Sequence, residues 1–133
     1  MKANFVELWR RHTLAYEPVR RIVGSNVYPQ HISGVMGAQF PALSIFTLGA
    51  PSYYGIINGL YQVDSWSLVE EEARHLQDYL EDIWTPDGIN SLPSSAGVKV
   101  LFLRQANRFD GGYEPEEKLY HKVSIYGVRW KAL

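Results

Sequence analysis

From Leu60 to Trp66 the chain alternates, with Tyr61, Val63 and Ser65 on one side of an extended backbone and Leu60, Gln62, Asp64 and Trp66 on the other. That is the pattern of a half-buried strand. After Ser67 the period lengthens. Ala73, Leu76, Leu80, Ile83 and Trp84 fall in a stripe along one side of a helix, predicted over residues 68–84. Ser67 and Glu70 have the S-x-x-E spacing, in which the serine oxygen caps a free N–H of the first turn and the glutamate reaches back to the serine N–H. Glu71 and Glu72 share that turn, where a carboxylate gains roughly 0.3–1 kcal/mol from the helix dipole. The three glutamates therefore read as a helix start and not as a catalytic cluster, since acid/base chemistry needs carboxylates of separated pKa facing one pocket.

Residues 4–12 read as a short helix, with Phe5, Leu8, Trp9 and His12 at helical spacing. Pro18 opens another turn or two carrying Val19, Ile22 and Val23, which Gly24 ends. NVYP at 26–29 is briefly extended, and a glycine-containing stretch follows at 30–39. PALSIFTL at 41–48 alternates Leu43 and Ile45 with Phe46 and Leu48, a largely buried strand with proline tolerated at its start. GAPSYYGIING at 49–59 is too polar and glycine-rich for a regular element and reads as an extended hairpin arm. TPDGINSLPSSAG at 85–97 is dense in turn formers. VKVLFL at 98–103 is a third strand, which RQANRFDGGYEPEEK at 104–118 breaks off. A last strand over 119–130 sets Leu119, His121, Val123 and Ile125 against Tyr120, Lys122, Ser124 and Tyr126. The expected fold is α+β in a single domain, residues 1–133, with an antiparallel-dominated sheet of about four strands and helices packed on one face.

Composition narrows the function. The chain has 133 residues, no cysteine and a formal net charge of -1. It is long enough for a core without metal or disulfide support. The missing thiols exclude disulfide scaffolds, thiolate zinc sites and cysteine nucleophiles, and lean towards the cytoplasm. No excess of positive charge argues for nucleic acid or an anionic membrane. The N-terminal residues are too polar for a signal peptide, and no stretch approaches a membrane span. Aromatic residues make up 14%, including nine tyrosines and four tryptophans, which suits an association surface as well as a core.

Candidate chemistry is sparse. His12, His31, His75 and His121 lack metal-ligand spacing, and neither a phosphate loop nor a G-x-S-x-G elbow occurs. Asp64 is expected to face solvent or to pair with a cross-strand cation such as Lys122 or Arg129. Arg10, Arg11, Arg20 and Arg21 read as a solvated helix face. No catalytic, metal-binding or cofactor-binding residue is assigned, and an enzyme is not expected.

The order of NVYP, PALSIF after a loop, YQVDSWS leading into EEEARHL, and the closing pair VKVLFL and LYHKVSIYGVRW resembles the small tail terminator or tail completion proteins of long-tailed bacteriophages. The resemblance spans about residues 22–130. This chain departs from the family pattern in the length of GAPSYYGIING and in Ser65, where members commonly carry an apolar residue. The resemblance implies a structural virion protein that caps the finished tail tube as a ring, commonly of six subunits, and presents the joining surface for the head. Its implied partners are further copies of itself, the tail tube protein and the head connector or stopper protein, with no cofactor, no membrane and no sequence-specific nucleic acid. Its implied place is the virion tail, assembled in the host cytoplasm. A prophage or gene-transfer particle is an equally compatible source.

The two arms, 49–59 and 104–118, are the expected contact surfaces. They carry Tyr53, Tyr54, Ile56, Ile57, Arg108, Phe109 and Tyr113, residue types that anchor interfaces. Two rival classes make different predictions. A small hydrolase or transferase would gather His, Asp or Glu from distant segments in a deep pocket. A regulatory binding module would be a monomer or dimer with one apolar patch.

Overall fold

A computed structural model describes residues 4–90 and 97–133. Asn4 starts the first helix, α1 (Phe5–Ala15), its side-chain oxygen accepting from Val6 N at 2.9 Å and Glu7 N at 3.3 Å. The second, α2 (Glu17–Val23), has Pro18 in its first turn and stops at Gly24, whose φ of 62° only glycine adopts without cost. A short strand β1 (Val27–Tyr28) and a 3-10 turn (Ile32–Gly34) lead to β2 (Ala42–Gly49), β3 (Ser52–Tyr53) and β4 (Ile56–Ser67). Helices α3 (Glu70–Ile83) and α4 (Pro86–Asn90) follow, and the chain closes with β5 (Val98–Glu114) and β6 (Leu119–Ala132).

The architecture is α+β, as the alternation of elements predicts, but the sheet has six strands where about four were expected. Their order is β1-β2-β4-β6-β5, with β3 paired to β4. Every pairing is antiparallel except β1 with β2. The two extra strands are β1, from the NVYP stretch, and β3, from the first arm, while the second arm lengthens β5. Residues 49–59 do form regular structure: β3 folds back on the start of β4, pairing Tyr53 with Ile56. Residues 104–114 continue β5 against β6 as far as the pair Glu114 and Leu119. Three register shifts interrupt that ladder and leave Leu101, Ala106 and Gly111 as extra residues, the geometry of β-bulges. The turn-rich 85–97 stretch also departs from expectation, since residues 86–90 are helical; residues 91–96 lie outside the described residues.

One face of the sheet shares a core with the helices. Leu43 and Ile45 of β2, Tyr61 and Val63 of β4, Val100 of β5, and Tyr126, Val128 and Trp130 of β6 join Leu8, Trp9, Val19, Leu76, Leu80 and Ile83 in one buried cluster. Aromatic rings fill its centre. Trp84 stacks on Tyr126 with centroids 4.0 Å apart, Phe5 packs on Tyr61 at 4.7 Å, and Trp130 Nε1 donates to Tyr61 Oη at 2.8 Å. Tyr61 lies back over Gly59, where a Cβ would stand 2.3 Å from its ring. All four tryptophans are buried, so much of the aromatic surplus serves the core.

The helix α3 starts differently from its expected capping box. Its N-cap is Val69, without a side-chain cap bond. Ser67 ends β4 instead, fully buried, accepting from Val69 N at 3.1 Å and donating to Glu72 Oε1 at 2.7 Å. Glu70 is drawn away to Lys122 Nζ at 3.2 Å. The glutamates open the helix, as the charge pattern predicts, but an ion pair from the helix to β6 takes the one expected to reach back.

Candidate functional site

The first arm ends in a two-residue turn. Tyr54 and Gly55 have φ of 50° and 77°, the paired positive values that tight hairpins require. The turn holds Tyr53 and Tyr54 at 70% and 88% exposure, their rings 4.3 Å apart. Ile56 and Ile57 are half-buried, and Ile57 packs against the core. The arm is thus anchored at its base and presents two tyrosines at its tip.

The second arm is a strand of the sheet. Arg108 forks to Asp78 and Glu81 of α3. Burial opposes its charge, but the hydrogen bonds to Asp78 and then Glu81 outweigh that and raise its pKa further. Phe109 is 45% exposed, and Tyr113, at 47%, leans on Tyr120 with centroids 4.7 Å apart. Tyr53 pairs with Ile56, which pairs with Lys131, whereas Tyr113 pairs with Tyr120. Tyr53 and Tyr113 therefore lie near opposite ends of β6, about 35 Å apart at strand rise. Phe109, paired with Val123, projects from the sheet face opposite to Tyr113, so these aromatics do not form one patch.

Lys122 clamps the same region. It is buried beside Asp110 Oδ2 at 2.8 Å and Glu70 Oε1 at 3.2 Å. Burial works against its charge, yet hydrogen bonds to Asp110 and then Glu70 hold its pKa above the ordinary lysine value. The Lys122 hydrogen bond, helped by the Gly112 N–H, keeps Asp110 below the usual carboxylate range. Strand β5, strand β6 and helix α3 are fastened together here.

Asp64 contradicts its expected placement. It is fully buried and faces neither solvent nor the proposed cations. Ser65, not Asp64, is the register partner of Lys122, so the alternation sends Asp64 and Lys122 to opposite faces. Arg129 bonds Asn58 instead. Asp64 Oδ1 accepts from Gln62 Nε2 at 2.9 Å and lies 3.2 Å from His121 Nε2, while His121 stacks on Trp66 at 3.8 Å. Trp66 Nε1 in turn donates to Ser44 Oγ at 3.3 Å. A Cβ on Gly111 would stand 2.6 Å from the His121 ring. Sequence reasoning missed this cluster, although its alternation had already put Asp64 and Trp66 on one side.

Beside Trp66 an open groove of about 1380 Å³ runs between the 31–40 segment and the turn after β5, taking in His31, Phe40, Glu114, Glu116 and Glu117. It joins histidine and glutamate from distant segments, as a hydrolase would. However, its three glutamates are exposed and come from a single turn region, and His31 Nδ1 is engaged with Ser33 Oγ at 2.7 Å. Among the described residues no three His, Asp or Glu side chains are grouped as metal ligands. No described helix is long and apolar enough to cross a membrane. The basic residues of α1 and α2 are engaged within the fold: Arg10 and Arg11 meet Glu7 and Arg21 meets Glu17, while Arg10 Nε also donates to Val27 O at 3.1 Å and Arg20 to Leu14 O at 3.4 Å.

The architecture defines a helix-backed, mainly antiparallel α+β domain with protruding β-hairpins and no assembled catalytic constellation among the described residues. The sequence matches no protein-family model and no curated protein. Its fold is similar to that of a chain in a solved structure described as "Virion of native gene transfer agent (GTA) particle", with a TM-score of 0.64 over 96% of this chain and 95% of that one, at 11% identity.

Proposed function

We propose that this protein is a structural component of a phage-like virion, acting as the ring that caps the finished tail tube and joins it to the head. The observation that carries the reading is the end-to-end fold likeness to a chain of a gene-transfer virion particle, 96% of one chain against 95% of the other. The exposed Tyr53 and Tyr54 tip and the half-exposed Phe109 and Tyr113 on a separate hairpin support it, since large aromatics left in solvent suit contacts with further copies. In this reading the partners are a ring of six copies, the tail tube protein and a head connector or stopper. The protein acts in the virion tail after assembly in the host cytoplasm and performs no chemical step.

Native mass measurement and electron microscopy, with and without purified tail tubes, test this. Rings in solution or at tube ends are the expected result. A protein that stays monomeric or dimeric and leaves tube ends bare would reject the capping role and favour a binding module.

A further inference from the structure

Four cations share the sheet face turned away from the helices. Lys99 and Lys131 are register partners, Arg104 stands opposite Gly127, and Arg129 is bonded through Nε to Asn58 Oδ1 at 3.0 Å. On β6 their positions alternate with Tyr126, Val128 and Trp130, which enter the core. Among the described residues none of the four has a salt bridge. Two lysines directly across a ladder repel, an arrangement that an incoming anion would relieve. Gly127 leaves a dip of about 420 Å³ between Arg104 and Arg129, walled by Leu60 and Phe102, both substantially exposed.

The matching charge is on the same chain but elsewhere. Glu114, Glu116 and Glu117 are exposed at the β5–β6 turn, also without salt bridges among the described residues, with Lys118 the one cation beside them. Ten strand steps separate Arg104 from Glu114, about 30 Å at strand rise. The acidic turn therefore cannot reach the basic face of its own subunit.

We propose that the acidic turn at residues 114–117 of one copy docks on the Lys99, Arg104, Arg129 and Lys131 face of the next. The two surfaces differ, so the contact is head-to-tail and can close into a ring; it rests on the ring reading above and specifies its contact. Charges at such a rim steer the encounter and set the register, and Leu60 and Phe102 supply apolar area at its centre. A protein partner is favoured over nucleic acid because apolar residues interleave the cations and the complementary anions are on the molecule itself.

Reversing each side and then mixing the two provides the test. Sedimentation velocity at about 0.05 and 0.5 M salt, together with capping of tail tubes, compares wild type, Glu114→Lys/Glu116→Lys/Glu117→Lys, Arg104→Glu/Arg129→Glu, and an equimolar mixture of the two variants. Circular dichroism verifies that each is folded. Each variant alone is expected to associate or cap at least roughly tenfold more weakly. The mixture should recover activity, because in an alternating ring a reversed turn meets a reversed face at one contact and a native turn meets a native face at the next, and wild-type association should weaken at high salt. Undiminished rings or capping in the separate variants, or no recovery in the mixture, would overturn the docking while leaving the ring reading intact. Wild type that neither associates nor caps removes the ring reading and the docking with it. A short DNA duplex bound by wild type and lost in Arg104→Glu/Arg129→Glu, with self-association unchanged, would assign the face to nucleic acid and overturn the proposal.

Discussion

Ser67 holds the junction between β4 and α3 through two hydrogen bonds from a fully buried position, so its role is structural even though it is not the helix cap. Ser67→Ala leaves Val69 N–H and Glu72 without their partner and should destabilise the fold by about 1 kcal/mol. Urea unfolding reads this directly; a normal midpoint with impaired assembly would move Ser67 to the contact surface. His12 makes a second prediction. Its Nε2–H donates to Ile83 O at 2.8 Å, and burial, outweighing that bond, lowers its pKa from 6.5. The fold prefers the neutral ring, so this stabilising contribution is complete above about pH 6.5 and is lost as the pH falls towards the lowered value. Wild type should therefore lose more thermal stability between pH 7 and 5 than His12→Gln, which keeps a donor without the titration. At this scale the alternation along β4 and β6 was legible in the sequence, down to which residues share a face. The partner of Asp64 was not, because choosing between His121 and Lys122 requires the register between two strands, and nothing local encodes that register.

Helix α3 was the most readable element, since its apolar stripe repeats over four turns and meets the sheet as predicted. Leu80 is fully buried in the common core, and Leu80→Ala should cost on the order of 2–5 kcal/mol, measured as the shift in unfolding free energy. A loss below about 1 kcal/mol would mean that the helix is not seated on the sheet as described. The second half of β5 was unreadable for a physical reason. RQANRFDGGYE lies at the sheet edge with most of its residues in solvent, so burial imposes no period of two. Hydrogen bonding to β6 makes it a strand, together with Arg108 and Lys122 reaching to α3. The β3 turn was hidden similarly, because its glycines and tyrosines look like loop composition while their positive φ values build a tight hairpin.

For the whole molecule, the ordered run of strand and helix phrases was enough to anticipate the architecture, whereas the number of strands depended on edges that carry no apolar signature. The two exposed aromatic groups lie far apart on the sheet, which suits contacts made on two sides of a subunit. Tyr53→Ser/Tyr54→Ser and Phe109→Ser/Tyr113→Ser should each leave circular dichroism unchanged while weakening ring formation or tube capping, and particles carrying them should show overlong or headless tails. Normal tails and unaltered assembly mass in both variants would remove these residues from the interface. The bulges at Leu101, Ala106 and Gly111 have a separate consequence. They recur every five residues, so the bare side of β5 never offers more than four consecutive residues in regular spacing. Fibril growth needs a long, flat template onto which identical chains can stack. The bulged edge is thereby a poor template for seeding amyloid, even though β5 is one of the longest strands and lies open at the sheet edge.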